Sequence, residues 1–139
     1  MNTRQRILVV DDQREILDLT TMVLAGAGYD VVTAASGDEA LARVGREPVD
    51  LVLLDINMPG MDGWETLRLL RADEGLGDLP VVMFSVKGEL HDQVLSLQEG
   101  ASGHITKPFS VDELVSRVRR TLEPPAATGG DCPDAGRAR

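Results

Sequence analysis

Only one cysteine occurs in the 139 residues, Cys132, and it lies in a Gly/Pro-containing stretch near the C-terminus. A lone thiol forms no intrachain disulfide and gives zinc no cysteine cluster, so the natural expectation is a reducing cytoplasm. Basic charge is scarce as well: 14 Lys and Arg stand against 23 Asp and Glu, a formal net charge of −9. Phosphate backbones and anionic membranes normally call for a basic face, which disfavours direct contact with nucleic acid or membrane. Long apolar runs are missing too. The opening MNTRQR leads into only four apolar residues, too few for a signal-peptide core, and no stretch approaches the ~20 residues that span a bilayer. What remains is one domain of ordinary size, with 42% hydrophobic residues to build a single core.

Short aliphatic runs are present instead, at Ile7–Val10, Tyr29–Thr33, Leu51–Leu54, Val81–Phe84 and, more weakly, Gly103–Thr106. Each is followed by a longer amphipathic stretch, a pattern that predicts five successive βα units. ILVV, LVLL and VVMF show no polar alternation, as expected of parallel strands covered by helices on both faces. Ile16, Leu19, Val23 and Ala27 form one predicted sheet-facing stripe; Val111, Leu114, Val115, Val118 and Leu122 form another. Four helix starts carry an N-cap candidate with Glu three positions later: Asp12 with Glu15, Ser36 with Glu39, Asp62 with Glu65, and Ser110 with Glu113. Gly26, Gly28, Gly75, Gly77 and Gly100 punctuate helix ends, where positive φ is commonly needed. The helix expected near residues 88–99 has the weakest start. After Leu122 the periodicity ends, dividing the chain into a domain over residues 1–122 and a flexible tail or linker stub over 123–139.

Several of these strands end in groups able to do chemistry. ILVV runs into Asp11 and Asp12, LVLL into Asp55, VVMF into Ser85, and HIT into Lys107. In an open parallel sheet such positions share one edge, and ligands bind there at the switch in strand order. Three gathered carboxylates repel one another, and one lysine offsets only part of that charge. Hard oxygen donors of this kind suit Mg²⁺, which keeps waters and bridges to phosphate. A carboxylate can then accept a phosphoryl group as a nucleophile. The chemistry implied is phosphoryl transfer to Asp55.

DD at 11–12, LLDINMPGMDG at 53–63, FS at 84–85 and TKPF at 106–109, in this order and at these intervals, resemble the receiver domain of two-component response regulators. The resemblance covers about residues 5 to 122. It implies a flavodoxin-like (βα)5 three-layer α/β sandwich with strand order 2-1-3-4-5. It also implies that Asp55 is the phosphoacceptor, that Asp12 ligates Mg²⁺ directly and that Asp11 acts mainly through metal-bound water. The backbone carbonyl of Asn57 would be a further ligand. Ser85 would be the switch hydroxyl, and Lys107 would contact a phosphoryl oxygen, positioned by a cis bond to Pro108. Phosphate would arrive from a histidine kinase or phosphotransfer protein, or from a small phosphodonor. The receiver would catalyse only its own modification. A downstream protein would then read the surface around the 88–99 stretch, the fifth strand and the last helix.

Local alternatives stand beside these roles. Asp12 can be a helix cap, Ser85 a turn residue, Lys107 a solvated side chain, and Pro59, Gly60 and Gly63 a tight turn. His104 stands where the family usually has Tyr or Phe, and is either a half-exposed strand residue or a pH-sensitive switch. Val86 follows Ser85 where a small residue is common, and would slow loss of the phosphoryl group. Trp64 is expected to pack near a helix start. A haloacid dehalogenase-type phosphatase would want a second Asp at position 57, where this chain has Asn57. A pseudo-receiver that works without phosphate is the alternative module.

Overall fold

The computed structural model describes residues 4–73, 75–85, 98, 100–107 and 109–122, with Ser85 described in its backbone only. Five strands, β1 (Arg6–Val10), β2 (Asp30–Ala34), β3 (Leu51–Asp55), β4 (Val81–Ser85) and β5 (Gly103–Thr106), form one sheet. Its order is β2-β1-β3-β4-β5, and every pairing is parallel. The strands are parallel because helical crossovers return the chain to the same starting edge. Three of these are α1 (Arg14–Gly26), α2 (Gly37–Arg46) and α3 (Gly63–Ala72), and a C-terminal helix, Val111–Leu122, follows β5. The expected flavodoxin-like α/β arrangement is therefore present. Of the helix expected over 88–99 only Gln98 is described, and it is helical. Val86, Lys87, Pro108 and the 123–139 segment lie outside the described residues.

Strand alternation divides the core in two. Leu8, Val10, Val52, Leu54, Val81 and Met83 pack with Ala40 and Val44 of α2 and Leu67 and Leu70 of α3. Ile7, Val9, Leu51, Leu53, Val82, Phe84 and Ile105 pack with Leu17 and Leu24 of α1 and Leu114 and Val118 of the C-terminal helix. Both faces of the sheet are thus covered, which is why its strands read as continuous apolar runs. Trp64 packs, half-buried, against the α2/α3 side.

Three local expectations need correction. The buried face of α1 is Leu17, Thr20 and Leu24, while Leu19 is 46% exposed. The segment carries two apolar stripes offset by one residue, about 100° around the helix, and the polar Thr20 at the centre of the packed one concealed it. In the C-terminal helix Leu114 and Val118 do face the sheet, but Val111 is exposed. Asp12 does not cap α1. The N-cap is Gln13, without a side-chain cap bond, because the Asp12 side chain belongs to a carboxylate cluster beside the sheet edge. The other three starts follow the sequence signal, with Ser36, Asp62 and Ser110 accepting from the amides of Glu39, Glu65 and Glu113. Of the helix-end glycines, Gly28 and Gly100 have positive φ.

Candidate phosphoacceptor site

The burial of a carboxylate at the end of LVLL follows from the same alternation. Ile7 and Val9 point to the α1 side, so Asp11 continues on that side; Leu51 and Leu53 do likewise, followed by Asp55. Val10 is in register with Leu54, which makes Asp11 and Asp55 neighbours on adjacent strands. Asp11 is fully buried and Asp55 is 3% exposed, whereas Asp12 is exposed. Carboxylate oxygens of all three lie within 4.8 Å of one another.

Lys107 reaches this cluster from the far end of β5. Its Nζ donates to Asp11 Oδ2 at 2.6 Å and lies 3.4 Å from Asp55 Oδ1. The ammonium sits 5.6 Å from the centroid of Phe84, whose ring stacks on Phe109 at 5.3 Å. These two aromatics had no assigned role in the sequence reading, although both stand in the FS and KPF strings beside Ser85 and Lys107. The Phe84 ring offers the ammonium a cation–π face, and Phe109 stacks on that ring. The stronger contact of Lys107 is with Asp11, not with Asp55.

The remaining contacts come from backbone. The Gln13 amide donates to Asp11 Oδ1 at 2.9 Å, and the Asn57 amide lies 3.4 Å from Asp55 Oδ1. Among the described residues, both contacts to Asp55 fall on Oδ1. Burial pushes the Asp55 carboxyl up from 3.8 to about 6; the Lys107 charge opposes this, the Asp11 charge adds to it, and the Asn57 amide opposes it weakly.

The loop after Asp55 is held by two different glycines. Gly60 has φ +77 and makes the turn. Gly63 does not: its amide donates to Ile56 O at 2.9 Å, and a Cβ there would press on the Asp55 carbonyl and lie 2.8 Å from Ile56 Cα. Gly63 is required for close approach of α3 to the end of β3, a role the turn reading of the sequence missed.

Ser85 is the last residue of β4, in register with Thr106 and next to Phe84, the register partner of Asp55. His104 is half-buried in β5, opposite Met83, and lines a groove of about 700 Å³ with Thr106, Glu113 and Arg117. It stands apart from the carboxylates. The Lys107–Pro108 peptide lies outside the described residues. The donor set of three carboxylates, two of them buried, fits a hard divalent cation such as Mg²⁺. Among the described residues, one ammonium, that of Lys107, stands beside the cluster to balance it.

A family model for the response regulator receiver domain matches residues 7–119. The DNA-binding response regulator MtrA of Mycobacterium tuberculosis (strain ATCC 25618 / H37Rv) is 47% identical over 119 residues, covering 86% of this chain and 51% of that protein. The alkaline phosphatase synthesis transcriptional regulatory protein PhoP of Bacillus subtilis (strain 168) is 42% identical over 118 residues, 85% of this chain and 48% of that one. The chain spans about half the length of the curated relatives it matches. The structure of the chemotaxis response regulator CheY4 of Vibrio cholerae aligns with a TM-score of 0.82 at 32% identity, covering 86% of this chain and 100% of that one. The names of MtrA and of RpaA from Synechocystis include DNA binding, so these relatives lend no support to the expectation that nucleic acid is not a partner. No described helix is long and apolar enough to cross a membrane. Sequence match, strand order and the carboxylate–lysine arrangement agree: the chain belongs to the response regulator receiver family of two-component signalling.

Proposed function

We propose that this receiver is switched by Mg²⁺-dependent phosphorylation of Asp55. The observation that carries the reading is the convergence of Asp11, Asp12, Asp55 and Lys107 at one sheet edge. Asp12, Asp11 and Asp55, with the Asn57 carbonyl, would hold the cation, which supplies charge neutralisation at the phosphoryl oxygens. Asp55 Oδ2 attacks the phosphorus of a phosphohistidine or of a small acyl phosphate. A new P–O bond forms on Asp55, the donor's P–N or P–O bond breaks, and the leaving imidazole or carboxylate departs with the electron pair. Lys107 moves part of its interaction from Asp11 to a phosphoryl oxygen, and Ser85 donates its hydroxyl to the same group. The only reaction catalysed is the gain and loss of this phosphoryl group.

The donor partner is a histidine kinase or phosphotransfer protein. The output is a partner protein at the surface that includes β5 and the C-terminal helix, with His104 as the switch residue at its groove. We assign the receiver to residues 1–122 and a linker or tail to 123–139, working in the cytoplasm. DNA binding is a property named for the longer relatives, and nothing in the site itself calls for it.

Intact-mass spectrometry after incubation with acetyl phosphate tests the reading. A phosphoryl adduct that needs Mg²⁺ and disappears in Asp55→Asn is the expected result. A folded, unmodified protein in the presence of both acetyl phosphate and a histidine kinase panel would favour a phosphate-independent module.

A further inference from the structure

The first residue of α2, Gly37, is glycine for want of space. It is not among the positive-φ glycines, which are Gly28, Gly60 and Gly100, so its backbone does not demand the residue. Inside a helix glycine costs about 1 kcal/mol relative to alanine. A Cβ on Gly37, however, would collide with the Thr66 hydroxyl and lie 2.9 Å from Met61 Sδ and 3.2 Å from Met61 Cγ. Both neighbours belong to the segment that follows Asp55. Thr66 is in the first turn of α3 and its hydroxyl donates to the Asp62 carbonyl at 2.9 Å; Asp62 caps that helix through the Glu65 amide. Met61 is in the loop over residues 56–62. The loop is anchored inward by the buried Ile56 and Met58, and at its far end by Gly63, seated on the Asp55 backbone. Gly37 is therefore the outer wall against which the loop rests.

We propose that Gly37 is a positioning residue for the phosphoacceptor site. Its bare α-carbon lets Met61 and Thr66 seat against α2, which fixes the loop carrying Asn57 relative to Asp55 and thereby sets the affinity for the divalent cation. This rests on the reading of Asp55 as a Mg²⁺-dependent acceptor.

The test is calorimetric titration of Mg²⁺ into folded wild type, Gly37→Ala and Met61→Ala, with urea denaturation in parallel. Groups hydrogen-bonded to metal ligands typically alter metal affinity by about 10–100-fold; Gly37 acts one step further out, through Met61 and Thr66, and the Mg²⁺ dissociation constant of Gly37→Ala is expected to rise about tenfold, the low end of that range. Met61→Ala, which removes the seat without adding bulk, is expected to weaken binding in the same direction. A Gly37→Ala protein that loses stability yet binds Mg²⁺ as wild type does would overturn the proposal. If Gly37→Ala does not fold, Met61→Ala decides, and unchanged affinity there overturns it. Wild type that binds no Mg²⁺ would remove the functional reading as well, whereas normal wild-type binding with unaffected variants removes this inference alone.

Discussion

Asp55 carries its charge at a cost that the metal-free fold does not fully offset. Its folded value of about 6 lies above the 3.8 of an exposed carboxyl, so between those limits the folded state binds more protons than the unfolded one. Stability from this group is then fully present below about pH 3.8 and is lost as pH rises through about 6, a difference of roughly 3 kcal/mol. In chelator, Asp55→Asn should therefore be more stable than wild type at pH 7.5, and the gap should close by pH 4. Urea denaturation at the two pH values measures it; an equal gap at both would contradict the burial account. Mg²⁺ should narrow the gap at pH 7.5 by binding the folded wild type.

Lys107 is the cation that this cluster supplies for itself. Removing it in Lys107→Ala leaves two buried carboxylates facing each other, and breaking a buried pair commonly costs about 3–5 kcal/mol. We expect the loss in chelator to exceed the loss in Mg²⁺, where the added cation replaces part of the missing charge. A stability loss that is the same with and without Mg²⁺ would separate the lysine from the cation site. At this scale the places after each strand pointed to Asp11, Asp12, Asp55 and Lys107, which the structure brings together. It did not show that Lys107 prefers Asp11, because that depends on a lysine crossing a phenylalanine ring.

At the scale of elements, legibility depended on whether a local signal had a competitor. The caps at Ser36, Asp62 and Ser110 had none, and a short side chain followed by Glu suffices to stop and start a helix. Asp12 had a competitor in the carboxylate cluster and went there. In α1 two stripes competed, and the one containing Thr20 won because Leu17 and Leu24 enter the α1 side of the core. Leu17→Ala should accordingly cost about 2–4 kcal/mol in thermal or urea unfolding, and Leu19→Ala less than about 1 kcal/mol. The reverse ranking would restore the Ile16, Leu19, Val23 and Ala27 stripe. Close approaches such as Gly37 on Met61 and Gly63 on Asp55 were illegible for another reason: a glycine in sequence says nothing about which neighbour occupies the missing Cβ.

For the whole molecule, the architecture was legible because three aliphatic runs without alternation admit few arrangements other than a sheet covered on both faces. Parity along those strands then brings Asp11, Asp55, Phe84 and Ile105 to a single side, and Lys107 continues it. Fold and site are thus one consequence of the same period of two. The choice of partner has no such origin, because it depends on surface chemistry that strand parity leaves open; the groove lined by His104, Thr106, Glu113 and Arg117 has no counterpart in the apolar runs.

On this mechanism the buried Asp55 is the residue that takes the phosphoryl group. Borohydride reduction of the phosphodonor-treated protein, followed by peptide mapping, tests it directly, because an aspartyl phosphate is reduced to homoserine while a free carboxylate is not. Homoserine at position 55, formed only when both Mg²⁺ and phosphodonor are present, is the predicted result. Homoserine at position 11 or 12 instead, or a phosphoryl adduct that borohydride leaves untouched, would contradict it.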